Sequence, residues 1–242
     1  MELITRAGRY CLGLAVAGSG LMQIVNAAFV RLVPQPAWLP QPQVCAVAAG
    51  VVLVLSGGAI LAGYRLRTAA AVLLVLLLAT LALRIPEILA NPGAGFVWTN
   101  PAKILALAGG ALLLATGSGR GPVRFAAGLL GLFLLIAGGQ HFVYAGFVDT
   151  LVPAWIPPGQ RFWTYFSAVA LLAAGAGMMP PQTRRPAGLL AGVMIFLWVW
   201  LLHVPRSVEL RNAFELAGVF EALGLAGVAW LVAAAGDPAP AK

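Results

Sequence analysis

The chain has 242 residues, of which 61% are hydrophobic and only 9% charged, with mean hydropathy +0.94 and formal net charge +8. A soluble domain carries about a quarter of its residues as Asp, Glu, Lys or Arg, so this composition excludes that class and marks an integral membrane protein. The excess positive charge is read as a topology signal, with no nucleic acid among the expected partners.

A membrane-crossing helix takes about 20 mainly apolar residues. Eight such runs are predicted, all helical because a backbone in lipid must satisfy its own hydrogen bonds. The first, near 10–33, follows Arg6 and Arg9 as a secretory signal would, but it is too long for one and has an internal counterpart at 123–148. PAWLP (36–40) leads to the second span, near 44–64, and the third, near 68–89, contains TLALRIPEI (80–88). The fourth, near 101–118, opens on KILALAGGALLLA (103–115). The fifth, 123–148, carries GLFLLIAGGQHFVYAGFV (131–148) and passes through PAWIP (153–157) to the sixth, near 162–179. In the seventh, near 187–204, Gly188 and Gly192 form a small-xxx-small helix contact, and the run ends in LWVWLLHVPRS (197–207). The eighth, near 212–235, contains EALGLAGVAWLVA (221–233).

Much of the second half repeats the first. GLAVAGSGLMQIVNAAFV (13–30) aligns with 131–148, PAWLP with PAWIP, 103–115 with 221–233, and Arg84 with Pro86 recurs as His203 with Pro205. The expected fold is therefore an all-α integral membrane protein with eight transmembrane helices in two four-helix bundles, residues 1–119 and 120–242. Four is even, so both units cross in the same sense and form a parallel repeat about an axis normal to the membrane. That axis would let the aligned Lys103 and Glu221 face one another across the unit interface. The rival is local pairing, of Lys103 with Glu87 and of Glu221 with His203 or Arg206.

One side of the spans collects Arg6, Arg9, Arg65, Arg67, Arg120, Arg124, Arg184, Arg185 and Lys242 against Glu2 and Asp237. The other collects Arg31, Arg84, Lys103, Arg161, Arg206 and Arg211 against Glu87, Asp149, Glu209, Glu215 and Glu221. Positive charge is retained on the cytoplasmic side, which places both termini there, in a multi-pass protein of the cell membrane, read as a bacterial inner membrane. Cys11 and Cys45 begin successive spans at opposite faces, about 30 Å apart across the hydrocarbon core, too far for a disulfide.

PAWIP (153–157), GGQHF (138–142), LHVPR (202–206) and LALAGGALLLA (105–115) resemble the DoxX-like membrane proteins, four-helix units with a VP-x-W-x-P element in the first loop. The resemblance implies a doubled unit. Members of that family are associated with quinone-linked sulfur oxidation and membrane redox complexes. Here the first half has Gln23 and Arg84 where the second has His141 and His203, so any histidine-dependent activity would reside in the second half.

Ionisable side chains in spans are costly and face a bundle interior, a wet cavity or the interface. Gln140, His141, Tyr144, His203 and Arg206 form the candidate ligand site, with Gln23, Asn26, Arg84 and Glu87 at the same outer level of the first half. Three readings stand for the histidines. His203 and, in the first half, Arg84 are helix-end residues that satisfy carbonyls disturbed by Pro205 and Pro86, or Gln140, His141 and His203 form a polar pocket for the head group of a quinone or other lipophilic ligand, or the two histidines are axial ligands of a haem. Two histidines without a Cys cluster are too few for an ordinary zinc site, and no catalytic fingerprint occurs. The tryptophans of PAWLP and PAWIP are read as interfacial anchors. The functional expectation is a quinone- or lipid-interacting accessory subunit of a membrane redox system; the alternative is a noncatalytic scaffold, or a carrier of a small lipophilic molecule.

Reporter fusions at Leu66, Arg120 and Arg184 should read cytoplasmic, and fusions at Pro40, Gly95 and Pro158 external. An external reading at Arg120 would overturn the parallel repeat.

Overall fold

A computed structural model describes residues 1–36 and 38–236; Ala37 of PAWLP, and Asp237 and Lys242 of the charge pattern, lie outside the described residues. The elements are α1 (Glu2–Asn26), α2 (Pro42–Ala62), α3 (Leu66–Ala90), α4 (Thr99–Thr116), α5 (Arg120–Val143), a short α6 (Ala145–Asp149), α7 (Gln160–Gly177), α8 (Pro181–Trp198), α9 (Val204–Leu210) and α10 (Ala213–Ala235). A 3-10 turn, Gly95–Trp98, enters α4, and a π turn, Val199–His203, joins α8 to α9. Among the described residues, six helices are long and apolar enough to cross a membrane: α2, α3, α4 with its entering turn, α5, α8 through α9, and α10. α1 has 25 residues and α7 has 18, but both carry more polar sequence and fall outside those six.

Helix ends depart from the predicted spans where the backbone finds its own stop. α1 ends at Asn26 rather than near residue 33, because Ala27 turns left-handed (φ 45°) and the N–H groups of Ala27 and Ala28 close on Ile24 O and Gln23 O. The segment Phe29–Val33, apolar but for Arg31, therefore becomes a loop. The fifth run breaks at Tyr144 and resumes as α6. Pro86 does not end α3, which continues to Ala90; a membrane helix tolerates a proline when neighbouring groups satisfy the freed backbone. Asn212 caps α10 by accepting from the Glu215 N–H at 2.9 Å.

Consecutive long helices pack side by side, and small residues set how closely. Apolar side chains gain little from leaving lipid, so close van der Waals contact has to supply the association. Gly57 of α2 sits so near α1 that a Cβ would lie 2.5 Å from Ala17 N and 2.7 Å from Gly13 O. Gly175 of α7 sits on α5 in the same way, with a Cβ 2.9 Å from Gly131 O. Gly8 and Gly227 meet between α1 and α10, as Ala126 and Gly109 do between α5 and α4. In every case the residues are related by a shift of 118 positions, the separation of Lys103 and Glu221. α4 and α10 run parallel through the middle, where Leu107 touches Gly224 and Gly110 faces Val228, and both bury most of their length. α1 packs on α2 and α10, α3 on α4, α5 on α4 and α7, and α8 on α10.

Gly57→Ala and Gly175→Ala should each lower the thermal unfolding midpoint in detergent, at a cost of about 1–3 kcal/mol for overpacking. Gly58→Ala, where a Cβ meets open space, is the control. An equal loss in the control would remove close helix contact as the cause.

Candidate functional site

Because neighbouring helices run antiparallel, the ends of α1, α3, α5 and α8–α9 meet the starts of α4 and α10 at one end of the bundle. The polar residues gather there. Lys103 Nζ donates to Glu221 Oε2 at 2.8 Å, with the two side chains 14% and 5% exposed. The expected pairing of Lys103 with Glu221 is thus present, between α4 and α10, and the local rivals have other partners: Glu87 with Arg84 at 2.6 Å, Arg206 with Glu215 at 3.0 Å. Arg31 joins the buried pair, its Nε 3.5 Å from Glu221 Oε1 and its guanidinium 4.4 Å above the Phe214 ring. Gly218 leaves room for this approach, since a Cβ there would lie 2.8 Å from Arg31 Nη1 and 3.2 Å from His203 Nδ1.

Arg84, only 7% exposed, donates to Arg31 O at 2.6 Å and to Leu32 O through Nε at 3.1 Å and Nη2 at 3.0 Å. It serves the carbonyls of a different segment, which corrects its reading as a helix-end residue. Arg31 has a positive φ of 33°, and the carbonyls around that bend have no helix to satisfy them. Arg84 supplies the donors from below while the Arg31 side chain reaches Glu221. The loop after α1 is held at both edges.

Beneath this loop lies a cavity of about 210 Å³ bounded by α1, α2, α3, the loop and α10. Its wall is mostly apolar, with Val16, Leu53, Leu73 and Leu77 among the side chains, and Phe29 and Phe220 supply aromatic rings. Ser19, Gln23, Thr80 and Glu221 are its polar lining residues. Gln23 is 1% exposed and its Oε1 is a buried acceptor without a hydrogen-bond donor among the described residues, whereas Glu221 Oε1 has the Arg31 guanidinium 3.5 Å away. A buried unsatisfied acceptor costs about 1–3 kcal/mol. A bound molecule offering a donor would remove that cost.

The residues marked from sequence divide among several neighbourhoods. Gln23 lines the cavity, and Asn26 Nδ2 donates to Met22 O at 2.8 Å. Gln140 accepts from Thr99 Oγ1 at 2.8 Å and donates to Gly95 O at 2.7 Å, and the Tyr144 hydroxyl lies beside the same glycine. His141 Nδ1 is 2.7 Å from Ala137 O, and its ring stacks on Trp198 at 6.3 Å and 23°. His203 closes the π turn against Gly218, and Arg206 holds Glu215. Thr80, Phe220 and Glu221 enter the site from the structure. Glu221 had a readable signal, an acid within an apolar run; Thr80 had none.

Lys103→Glu and Glu221→Lys should each destabilise the protein by about 3–5 kcal/mol, as expected for a broken buried pair. The double variant should recover part of the loss, and not all, because Arg31 then faces a lysine. Purely additive losses of thermal stability would show that the pair is not coupled.

Residues 130–214 match a family model described as a domain of unknown function (DUF8561), and residues 4–84 match the DoxX model. No curated protein and no solved structure matches the chain. The second of these matches covers α1, α2 and most of α3, three of the helices that wall the cavity, and over residues 4–84 the chain is similar to the DoxX-like membrane proteins.

Proposed function

We propose that this chain is an eight-span membrane protein of two four-helix units, residues 1–119 and 120–242, whose first unit binds a small lipophilic molecule. The cavity carries the reading: an apolar wall closed at one end by the ion-paired Glu221 carboxylate and by a buried amide, Gln23, that retains an unmatched oxygen. Ligand sites combine those features, an apolar lining with a few polar groups that fix orientation. α1 and α7 are counted as spans because each lies along apolar helices over several turns, α1 from Gly8 to Ile24 and α7 from Ala168 to Gly175. The shift of 118 positions that relates the helix contacts supports two parallel units, and the distribution of arginine supports cytoplasmic termini.

In this reading the protein holds its ligand and performs no chemistry on it, either as a carrier or as the quinone- or lipid-binding accessory subunit of a membrane redox system. Binding is assigned to the first unit. Gln140, Tyr144, His203 and Arg206 then position helices and loops around the inter-unit pair, as their hydrogen bonds and contacts support.

Solvent extraction of the protein purified in mild detergent, followed by mass spectrometry, should yield one lipophilic compound at close to one equivalent per chain. Ala49→Phe, which fills the cavity from α2, should lower that content about tenfold at preserved helicity, the equivalent of an overpacking cost near 1.4 kcal/mol. Extracts containing only bulk phospholipid, equal in both proteins, would overturn the proposal.

A further inference from the structure

The two units treat the same position differently. Gln23 of α1 and Thr80 of α3 line the cavity of the first unit. The shift of 118 that relates the helix contacts carries Gln23 to His141 of α5 and Thr80 to Trp198 of α8. Those two residues are in contact, the indole stacked on the imidazole at 6.3 Å and 23°. The second unit therefore places a planar aromatic ring between its first and third helices, where the first unit leaves about 210 Å³ empty.

From this juxtaposition we infer that the first-unit cavity takes a planar ring bearing a hydroxyl donor, as in a phenol or fused-ring alcohol, in the place that Trp198 occupies in the second unit. The inference rests on the proposed ligand-binding role and names the class of ligand. Size is consistent, since an apolar cavity of about 150 Å³ already accepts benzene. Phe29 and Phe220 line the space and offer ring faces or edges for stacking. The unmatched acceptor on Gln23 selects a donor. A fully oxidised quinone, which carries only acceptors, cannot satisfy that oxygen, whereas a hydroxyl can.

The test is calorimetric titration of the full chain in detergent, after exchange of any endogenous compound, with four probes: 1-naphthol, 1-methoxynaphthalene, 1,4-naphthoquinone and the linear alcohol 1-decanol. One equivalent of 1-naphthol should bind at least about tenfold more tightly than each of the other three, the scale of one net hydrogen bond or one lost ring fit. Thr80→Trp copies the second unit and should abolish naphthol binding while helicity and elution stay unchanged; should that variant misfold, Thr80→Phe serves the same purpose. Decanol or naphthoquinone binding as tightly as naphthol would sink the ring-and-donor class while leaving a lipophilic site intact. Undiminished naphthol binding in Thr80→Trp, or in Thr80→Phe where it is the one that folds, would overturn the location. No binding by any probe, with no compound removed during exchange, would overturn the ligand-binding reading as well.

Discussion

The buried pair between Lys103 and Glu221 is the constraint around which the rest of the bundle is arranged. α4 and α10 are the most enclosed helices and run parallel, so no short connection joins one to the other. Two charges at their interface would each be prohibitively placed alone in an apolar interior, and together they fix the register of one helix against the other. The same carboxylate then recruits Arg31, and Arg84 holds the backbone at Arg31 and Leu32. A chain of contacts thus runs from the centre of the bundle to the loop over the cavity. Losing the central pair would loosen that cover as well as the interface.

The helix packing and the cavity depend on opposite uses of side-chain size. Gly57 on Gly13, Gly175 on Gly131 and Gly8 on Gly227 bring backbones together and leave no space between them. α1 and α3 stand apart instead, with Gln23 and Thr80 too short to span the gap. Between α5 and α8 an imidazole and an indole bridge the corresponding space. α8 also carries the π turn, whereas α3 stays α-helical through Pro86. A π turn is what one extra residue in a helix produces, and it accounts for His203 aligning with Arg84 one position beyond the shift of 118 that relates the helix contacts.

What was legible in the sequence followed from periodic apolar runs and from isolated charges. Long helices occur near each of the eight predicted runs, and the aligned Lys103 and Glu221 do meet, because a charge within an apolar run has few ways to be satisfied. The loop at Phe29–Val33 was not legible, since apart from Arg31 its residues are as apolar as the helix before it and only the left-handed turn at Ala27 separates them. Nor was the partnership of Arg84, whose acceptors are carbonyls more than 50 positions away and carry no side-chain signal. The histidines drew attention to the second half because they are rare. Emptiness has no letter, and the cavity in the first half follows from a threonine whose importance appears only beside Trp198.

A duplicated chain can hold asymmetry that a symmetric dimer cannot. In a two-fold dimer each position near the axis faces its own copy, so a lysine at 103 would meet a lysine, or a glutamate would meet a glutamate, and a buried contact of like charges is strongly unfavourable. Two units in one chain lift that restriction: one supplies Lys103 and the other Glu221, and the repulsive pair becomes the attractive one at the centre of the bundle. The same freedom extends to the space between the first and third helices. A symmetric dimer must either fill both of its copies or leave both open, with two unsatisfied sets of polar groups when no ligand is present. Fusion allows one unit to close on Trp198 and serve as a rigid support while the other keeps Thr80 and an open cavity. In the proposed duplication, the ion pair and the single cavity are therefore two results of the same loss of symmetry.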